Sequence, residues 1–164
     1  MTVSTNFKLP RVATPQNPLC LAVLISGSGT GMEALIHYQK QNNCAHKTVL
    51  VLSNRKDSLG LVKAQKHGIN VDIVELTDGM TRTSHEEIIH EKLKSNGIEA
   101  IILSGYMRIL STSFVKKWEG RLLNIHPSLL PNFPGAYAHR DALNAGSKKS
   151  GCTVHFVDSG VDTG

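Results

Sequence analysis

Cysteine supplies no scaffold here: the chain of 164 residues has only Cys20, Cys44 and Cys152, far apart and odd in number, with no C-x-x-C pair. A disulfide framework is excluded and a reducing compartment is expected, cytoplasmic, with a plastid or another organelle as the alternative. No apolar run approaches the ~20 residues that span a bilayer, so no membrane partner is expected. Residues 1–19 contain no acid and no apolar core segment, which excludes a secretory signal. Their three prolines and several hydroxyl residues read as a disordered extension, with the tail of a transit peptide as the other reading. Aromatic residues are 5% of the chain, and the +5 formal charge is dispersed, with Lys116-Lys117 and Lys148-Lys149 only as pairs. That pattern argues against nucleic acid and for a diffuse positive field that attracts small anionic substrates. Repeats and low-complexity tracts are lacking, and oligomeric state is left open.

What remains is an ordinary globular composition, 40% hydrophobic and 19% charged, at a length that suits one domain with a real core. Strand and helix patterns alternate, which predicts an α/β domain with a parallel sheet covered by helices. Residues 21–26 are a continuous apolar run, as in a strand buried on both faces. A glycine-rich turn and a helix near 30–41 follow. Further strands are predicted at 48–53, 71–76, 100–104, 122–125 and 153–157. Helices are predicted at 59–67, 84–96, 112–118 and 140–143. The helix at 84–96 carries a capping-box pattern, Ser84 with Glu87, an apolar stripe of Ile88, Ile89 and Leu93, and a stop at Gly97.

Chemistry concentrates where the strand at 122–125 ends, in Asn124-Ile-His126-Pro-Ser-Leu-Leu-Pro131. Residues two apart in a strand share a face, so Asn124 and His126 project together at a carboxyl edge, where open α/β sheets bind ligands. Asn offers a donor to a developing oxyanion, and His moves or stabilises a proton. Asp158 and Asp162, in the acidic turn after the last predicted strand, are both candidates to hold that histidine as imidazolium.

The turn Gly27-Ser-Gly-Thr-Gly31 joins the first strand to a helix, an arrangement that presents backbone N–H groups to an anion. A bare strand-to-helix turn is the other reading. A dinucleotide fingerprint fails at Met32, and the second strand ends in Ser53 and Asn54 rather than an acid; no Gly-Lys-Ser/Thr makes a Walker loop. Residues 105–110, Gly-Tyr-Met-Arg-Ile-Leu, read as ordinary core as readily as a ligand wall. No metal is expected. His85 and His90 stand at i and i+5, on different sides of a helix, and His126, His139 and His155 lack paired ligands at metal spacing. No G-x-S-x-G elbow and no activated cysteine is present.

These blocks together resemble the folate-dependent glycinamide ribonucleotide formyltransferase family. The matching stretches are Ile25-Ser-Gly-Ser-Gly-Thr30, Ser104-Gly-Tyr-Met-Arg-Ile-Leu110, the Asn124–Pro131 block, Phe133-Pro-Gly135 and Val154-His-Phe-Val with Asp162-Thr-Gly. They occur in the family's order and cover roughly residues 20–164. The resemblance implies an open, mostly parallel Rossmann-like sheet with helices on both faces. It implies that residues 20–164 form the formyltransferase domain without its final strand and helix.

By the same resemblance, Asn124, His126 and Asp162 are catalytic, and Gly29, Thr30 and Gly31 bind the ribonucleotide phosphate. Gly31 stands where the family normally has Asn, so a side-chain contact is lost. Met107, Arg108, Ile109 and Leu110, with Asn124, are implied to hold the folate, and Arg82 to meet its glutamate tail. The implied reaction moves the formyl group of 10-formyltetrahydrofolate, a co-substrate, to the amine of glycinamide ribonucleotide in purine biosynthesis, without a metal. The alternatives are a formyltetrahydrofolate deformylase and an inactive phosphate-binding fragment of the same fold.

Overall fold

In a computed structural model, residues 7–164 are described. Six strands form one sheet in the order β3-β2-β1-β4-β5-β6. They are β1 (Leu19–Ile25), β2 (His46–Ser53), β3 (Asn70–Ile73), β4 (Ala100–Ser104), β5 (Leu122–His126) and β6 (Thr153–Phe156). The first five are parallel, and β6 joins β5 antiparallel. Between them run α1 (Thr30–Gln41), α2 (Leu59–Lys66), α3 (Arg82–Ser95), α4 (Thr112–Lys117) and α5 (Ala138–Asn144).

The alternation of β1 explains the layers. Ala22 and Leu24 face one side, packed with Ile89 and Leu93 of α3 and Phe114 and Val115 of α4. Val23 and Ile25 face the other, against Met32 and Ile36 of α1 and Leu61 and Ala64 of α2. A strand covered on both faces has to be apolar at every position, and residues 21–25 are all buried. The chain moves outward from β1 to β2 and β3, then returns to β4 on the other flank. The strand order therefore reverses between β1 and β4, the crevice where open α/β sheets take ligands.

Two expectations need correction. The disordered extension expected over residues 1–19 does not describe residues 7–19, and residues 1–6 lie outside the described residues. The Lys8 N–H donates to the Glu119 carbonyl at 3.0 Å, and Phe7 packs edge-on against Phe156. The Arg11 guanidinium donates to both carboxylate oxygens of Glu99, at 2.6 and 3.0 Å. Arg11 also donates to the Asn17 and Pro18 carbonyls, so a segment without acids is held by an acid from the loop before β4. Leu19 and Cys20 already belong to β1.

The capping box at Ser84 is also displaced. Thr81, extended at φ −76° and ψ 158°, is the N-cap, and its side-chain oxygen accepts the Ser84 N–H at 3.1 Å. Ser84 lies inside the first turn and hydrogen-bonds the Thr81 hydroxyl instead. Glu87 pairs with Lys117 of α4 rather than reaching back to a cap.

Candidate active site

Three segments meet at the carboxyl edge of β1, β4 and β5. After β1 comes the glycine turn. Gly29 caps α1 at φ +66°, a conformation that favours glycine, and a Cβ there would lie 2.7 Å from the Gly60 Cα. α2 is thus packed directly against the turn. The Gly27 carbonyl accepts the Gly60 N–H at 3.0 Å and the Ser58 hydroxyl at 2.7 Å. The first intrahelical bond runs from the Glu33 N–H to the Gly29 carbonyl, so the N–H groups of Thr30, Gly31 and Met32 stand at the open end of the helix. Gly31 has ordinary helical geometry, and a Cβ there would lie 2.6 Å from the Ser104 hydroxyl.

After β4, residues 105–110 wall a cleft of about 560 Å³ whose lining includes Met107, Ile109, Leu110, Asn124, His126 and Asp162. Met107 and Ile109 are exposed, which is unusual for apolar side chains next to a core. Tyr106 and Leu110 of the same segment pack against the core, so the segment is core on one side and cleft wall on the other. Apolar side chains with a few convergent polar groups suit a small-molecule ligand. Tyr106 packs inward, and burial pushes its phenol up to about 12.

At the cleft's polar end stand Asn124 and His126, on one face of β5. His126 is 4% exposed. Its Nδ1 faces Asp162 Oδ2 at 3.3 Å and its Nε2 faces the Phe133 carbonyl at 2.8 Å. Both ring nitrogens thus face oxygen acceptors. Phe133 sits at φ +55°, a strained conformation for a bulky residue, which turns its carbonyl toward the ring. Asp162, also at φ +55°, accepts the Gly135 N–H on Oδ2 at 2.7 Å. The Asn124 amide donates to Asp162 Oδ1 at 3.4 Å.

Of the two acids left open by the sequence, Asp162 reaches the histidine. Asp158 turns into its own loop, where it accepts the Gly160 N–H and the Thr163 hydroxyl. Arg82 is exposed as the first residue of α3 and is not among the residues that line the cleft. His155 is a site residue that sequence reasoning passed over. The antiparallel register sets it opposite Asn124, whose amide lies 3.2 Å from its Nε2. His155 Nδ1 lies 3.0 Å from the Phe156 carbonyl, and Asp162 Oδ1 is 3.7 Å from Nε2. The shorter contacts favour a ring that donates from Nδ1 and accepts from Asn124. The one available signal was the alternation in Val154-His-Phe-Val, which does not reveal its strand partner.

Among the described residues, two clusters elsewhere bring histidine and carboxylate atoms within 4.8 Å of one another: Glu33, His37 and His67, and Glu87, His90 and Glu91. Each of their three carboxylates already holds a lysine, Lys63 on Glu33, Lys117 on Glu87 and Lys94 on Glu91. Neither cluster contributes to the cleft.

Comparison with known proteins agrees with this architecture. A family model described as formyl transferase matches residues 19–164. The trifunctional purine biosynthetic protein adenosine-3 of Gallus gallus is 48% identical over 148 residues, 90% of this chain and 15% of that protein. The phosphoribosylglycinamide formyltransferase of Escherichia coli is 41% identical over 145 residues, 88% of this chain and 68% of that one. Among solved structures, glycinamide ribonucleotide transformylase 1 from Symbiobacterium toebii superposes with a TM-score of 0.85 at 39% identity, covering 90% of this chain and 69% of that one. The chain thus spans a small part of the trifunctional relatives and about two thirds of the single-function ones. With the family model covering nearly the whole described sheet and its helices, this chain belongs to the formyl transferase family.

Proposed function

We propose that this chain transfers the formyl group of 10-formyltetrahydrofolate to the amine of glycinamide ribonucleotide, a step of purine biosynthesis. The observation that carries the reading is the convergence of Asn124, His126 and Asp162 at the polar end of an apolar cleft. The relatives named as phosphoribosylglycinamide formyltransferase support it. Both partners are small molecules. Three free cysteines fit a reducing, cytoplasmic setting, and no helix among the described residues is long and apolar enough to cross a membrane.

In this reading the N–H groups at Gly29, Thr30 and Gly31 hold the ribonucleotide phosphate. The wall of Met107, Arg108, Ile109 and Leu110 holds the pterin, with Asn124 at its reactive end. Arg82, exposed at the start of α3, meets the folate's glutamate tail in this reading. The amine attacks the formyl carbon directly, so the protein supplies no nucleophile. Asn124 turns its amide from Asp162 and His155 to the formyl oxygen as negative charge develops there. His126, kept charged by Asp162, stabilises the same charge and moves a proton toward the leaving folate nitrogen.

The test is consumption of 10-formyltetrahydrofolate by the purified chain with and without glycinamide ribonucleotide. Rapid turnover only with the amine, yielding formylated ribonucleotide, is expected. Formate release without the amine would assign a deformylase instead. Binding of phosphate at the turn with no turnover under either condition would leave only a phosphate-binding module.

A further inference from the structure

The anion turn and the cleft wall are fastened together by one side chain. Ser26, 6% exposed, stands at the end of β1 where the turn begins. Its N–H donates to the Gly105 carbonyl at 3.2 Å, and its hydroxyl oxygen accepts the Met107 N–H at 2.8 Å. The same hydroxyl lies 2.6 Å from Asn54 Oδ1, just past the end of β2. A hydroxyl has one proton, and a carbonyl oxygen can only accept. The Ser26 proton therefore points to Asn54, which leaves a lone pair facing the Met107 N–H. An inverted Asn54 amide would bring two donors onto the hydroxyl and strand its proton, so the network itself sets the amide's orientation.

The restraint continues in both directions. Ser26 runs directly into Gly27, whose carbonyl is held by Ser58 and Gly60 at the start of α2. The far end of the wall is held separately: Glu86 of α3, 4% exposed, accepts the Ser111 N–H at 2.8 Å and the Ser111 hydroxyl. Residues 107–110 are thus strung between two buried anchors. Only the Ser26 anchor also belongs to the turn.

We infer that Ser26, oriented by Asn54, is a positioning residue that sets the anion turn and the folate-binding wall at a fixed separation, so that the two substrates of the proposed transfer meet at Asn124. The kinetic part of this inference rests on the proposed transferase function; the structural part does not.

The structural part is read by hydrogen–deuterium exchange on the whole chain. In Ser26→Ala, and in Asn54→Leu, which removes the acceptor at similar volume, the Met107 amide should exchange about tenfold faster, as expected for loss of one hydrogen bond. The Ser111 amide, held by Glu86, should be unchanged, and Ser26→Thr should restore protection. If Ser26→Ala does not fold, Asn54→Leu and the acceptor-retaining Asn54→Asp decide the question. Unchanged exchange at Met107, or equal acceleration at Ser111, overturns the inference.

In steady-state kinetics, both variants should raise KM for the folate about tenfold and KM for the ribonucleotide by a smaller factor. The double variant should be no worse than Ser26→Ala, because the two act through one hydrogen bond. A merely structural role would lower the amount of active enzyme and leave both KM values unchanged. Additive effects, or intact KM values, overturn the inference. An unmodified chain that turns over neither substrate would refute the transferase reading, while Met107 exchange would still decide the role of Ser26.

Discussion

Replacing Asp162 by Asn removes one charge from the site and leaves nearly every atom in place. Oδ2 faces His126 Nδ1 at 3.3 Å and accepts the Gly135 N–H at 2.7 Å, and an amide oxygen in that position preserves both contacts. The backbone tolerates the change, because Asn adopts the left-handed conformation at φ +55° as readily as Asp does. What disappears is the attraction between a carboxylate and a protonated ring, together with the 3.4 Å hydrogen bond from Asn124, because the amide nitrogen takes the place of Oδ1. At that separation it amounts to about 5 kcal/mol for an effective dielectric constant of about 20, as an upper bound. Relaxation and residual solvent reduce this toward the ~2.7–4 kcal/mol typical of a lost oxyanion contact, or ~10²–10³ in kcat. Both KM values should stay within about threefold, since the charge acts chiefly in the transition state. Steady-state kinetics at saturation in each substrate provide the assay. A fall in kcat of less than about tenfold, or a rise in KM with kcat intact, would refute the assigned role of Asp162.

Three further substitutions probe the surroundings of the site and the N-terminal segment. The Tyr106 hydroxyl is buried without a hydrogen-bond partner among the described residues, so Tyr106→Phe should gain about 1 kcal/mol in denaturant unfolding at pH 7. Between pH 10 and about 12 the unfolded chain releases the phenol proton while the folded chain keeps it, so native stability falls as pH rises; the Phe variant should lack that slope, and destabilisation at neutral pH would contradict the account. Gly29→Ala places a Cβ 2.7 Å from Gly60 at a positive φ and should cost ~1–3 kcal/mol of stability while raising KM for the ribonucleotide; unchanged values would mean that the turn is not braced by α2. The Arg11 hydrogen bond holds the Glu99 carboxyl below its usual range, so the contact stabilises above the unfolded value of 4.5 and is lost as pH falls through the lower folded value. Amide protection of residues 8–18 should therefore drop on acidification, and Arg11→Ala should remove that dependence; pH-independent protection in the unmodified chain would show that other contacts hold the segment.

The sheet was legible wherever burial on both faces forced a continuous apolar run. Residues 21–26 and 100–104 announce β1 and β4, and α1 begins and ends where its pattern does. Asn124 and His126 could be placed on one face from their spacing alone, because strand geometry allows nothing else. Contacts set by distant register were not legible. Nothing local states that β6 runs antiparallel to β5, so the pairing of His155 with Asn124 could not be read. The N-terminal segment reads as disordered because its composition offers no core, while its contacts are distant in sequence: Arg11 with Glu99, 88 residues away, Lys8 with Glu119 and Phe7 with Phe156. Ser84 reads as the cap because a glutamate stands three residues on, whereas the N-cap is Thr81. Backbone conformation, extended at Thr81, decided otherwise.

The central claim is that formyl transfer depends on a charged His126 held by Asp162 beside the cleft, and His126→Ala tests it most directly. The account predicts that kcat for ribonucleotide-dependent consumption of 10-formyltetrahydrofolate falls by at least ~10². The affinity for a folate analogue, measured by calorimetry, should change by less than about threefold, because the imidazole acts in the transition state and not in ground-state binding. A variant that keeps near-normal kcat, or one whose loss lies wholly in folate affinity, would contradict it.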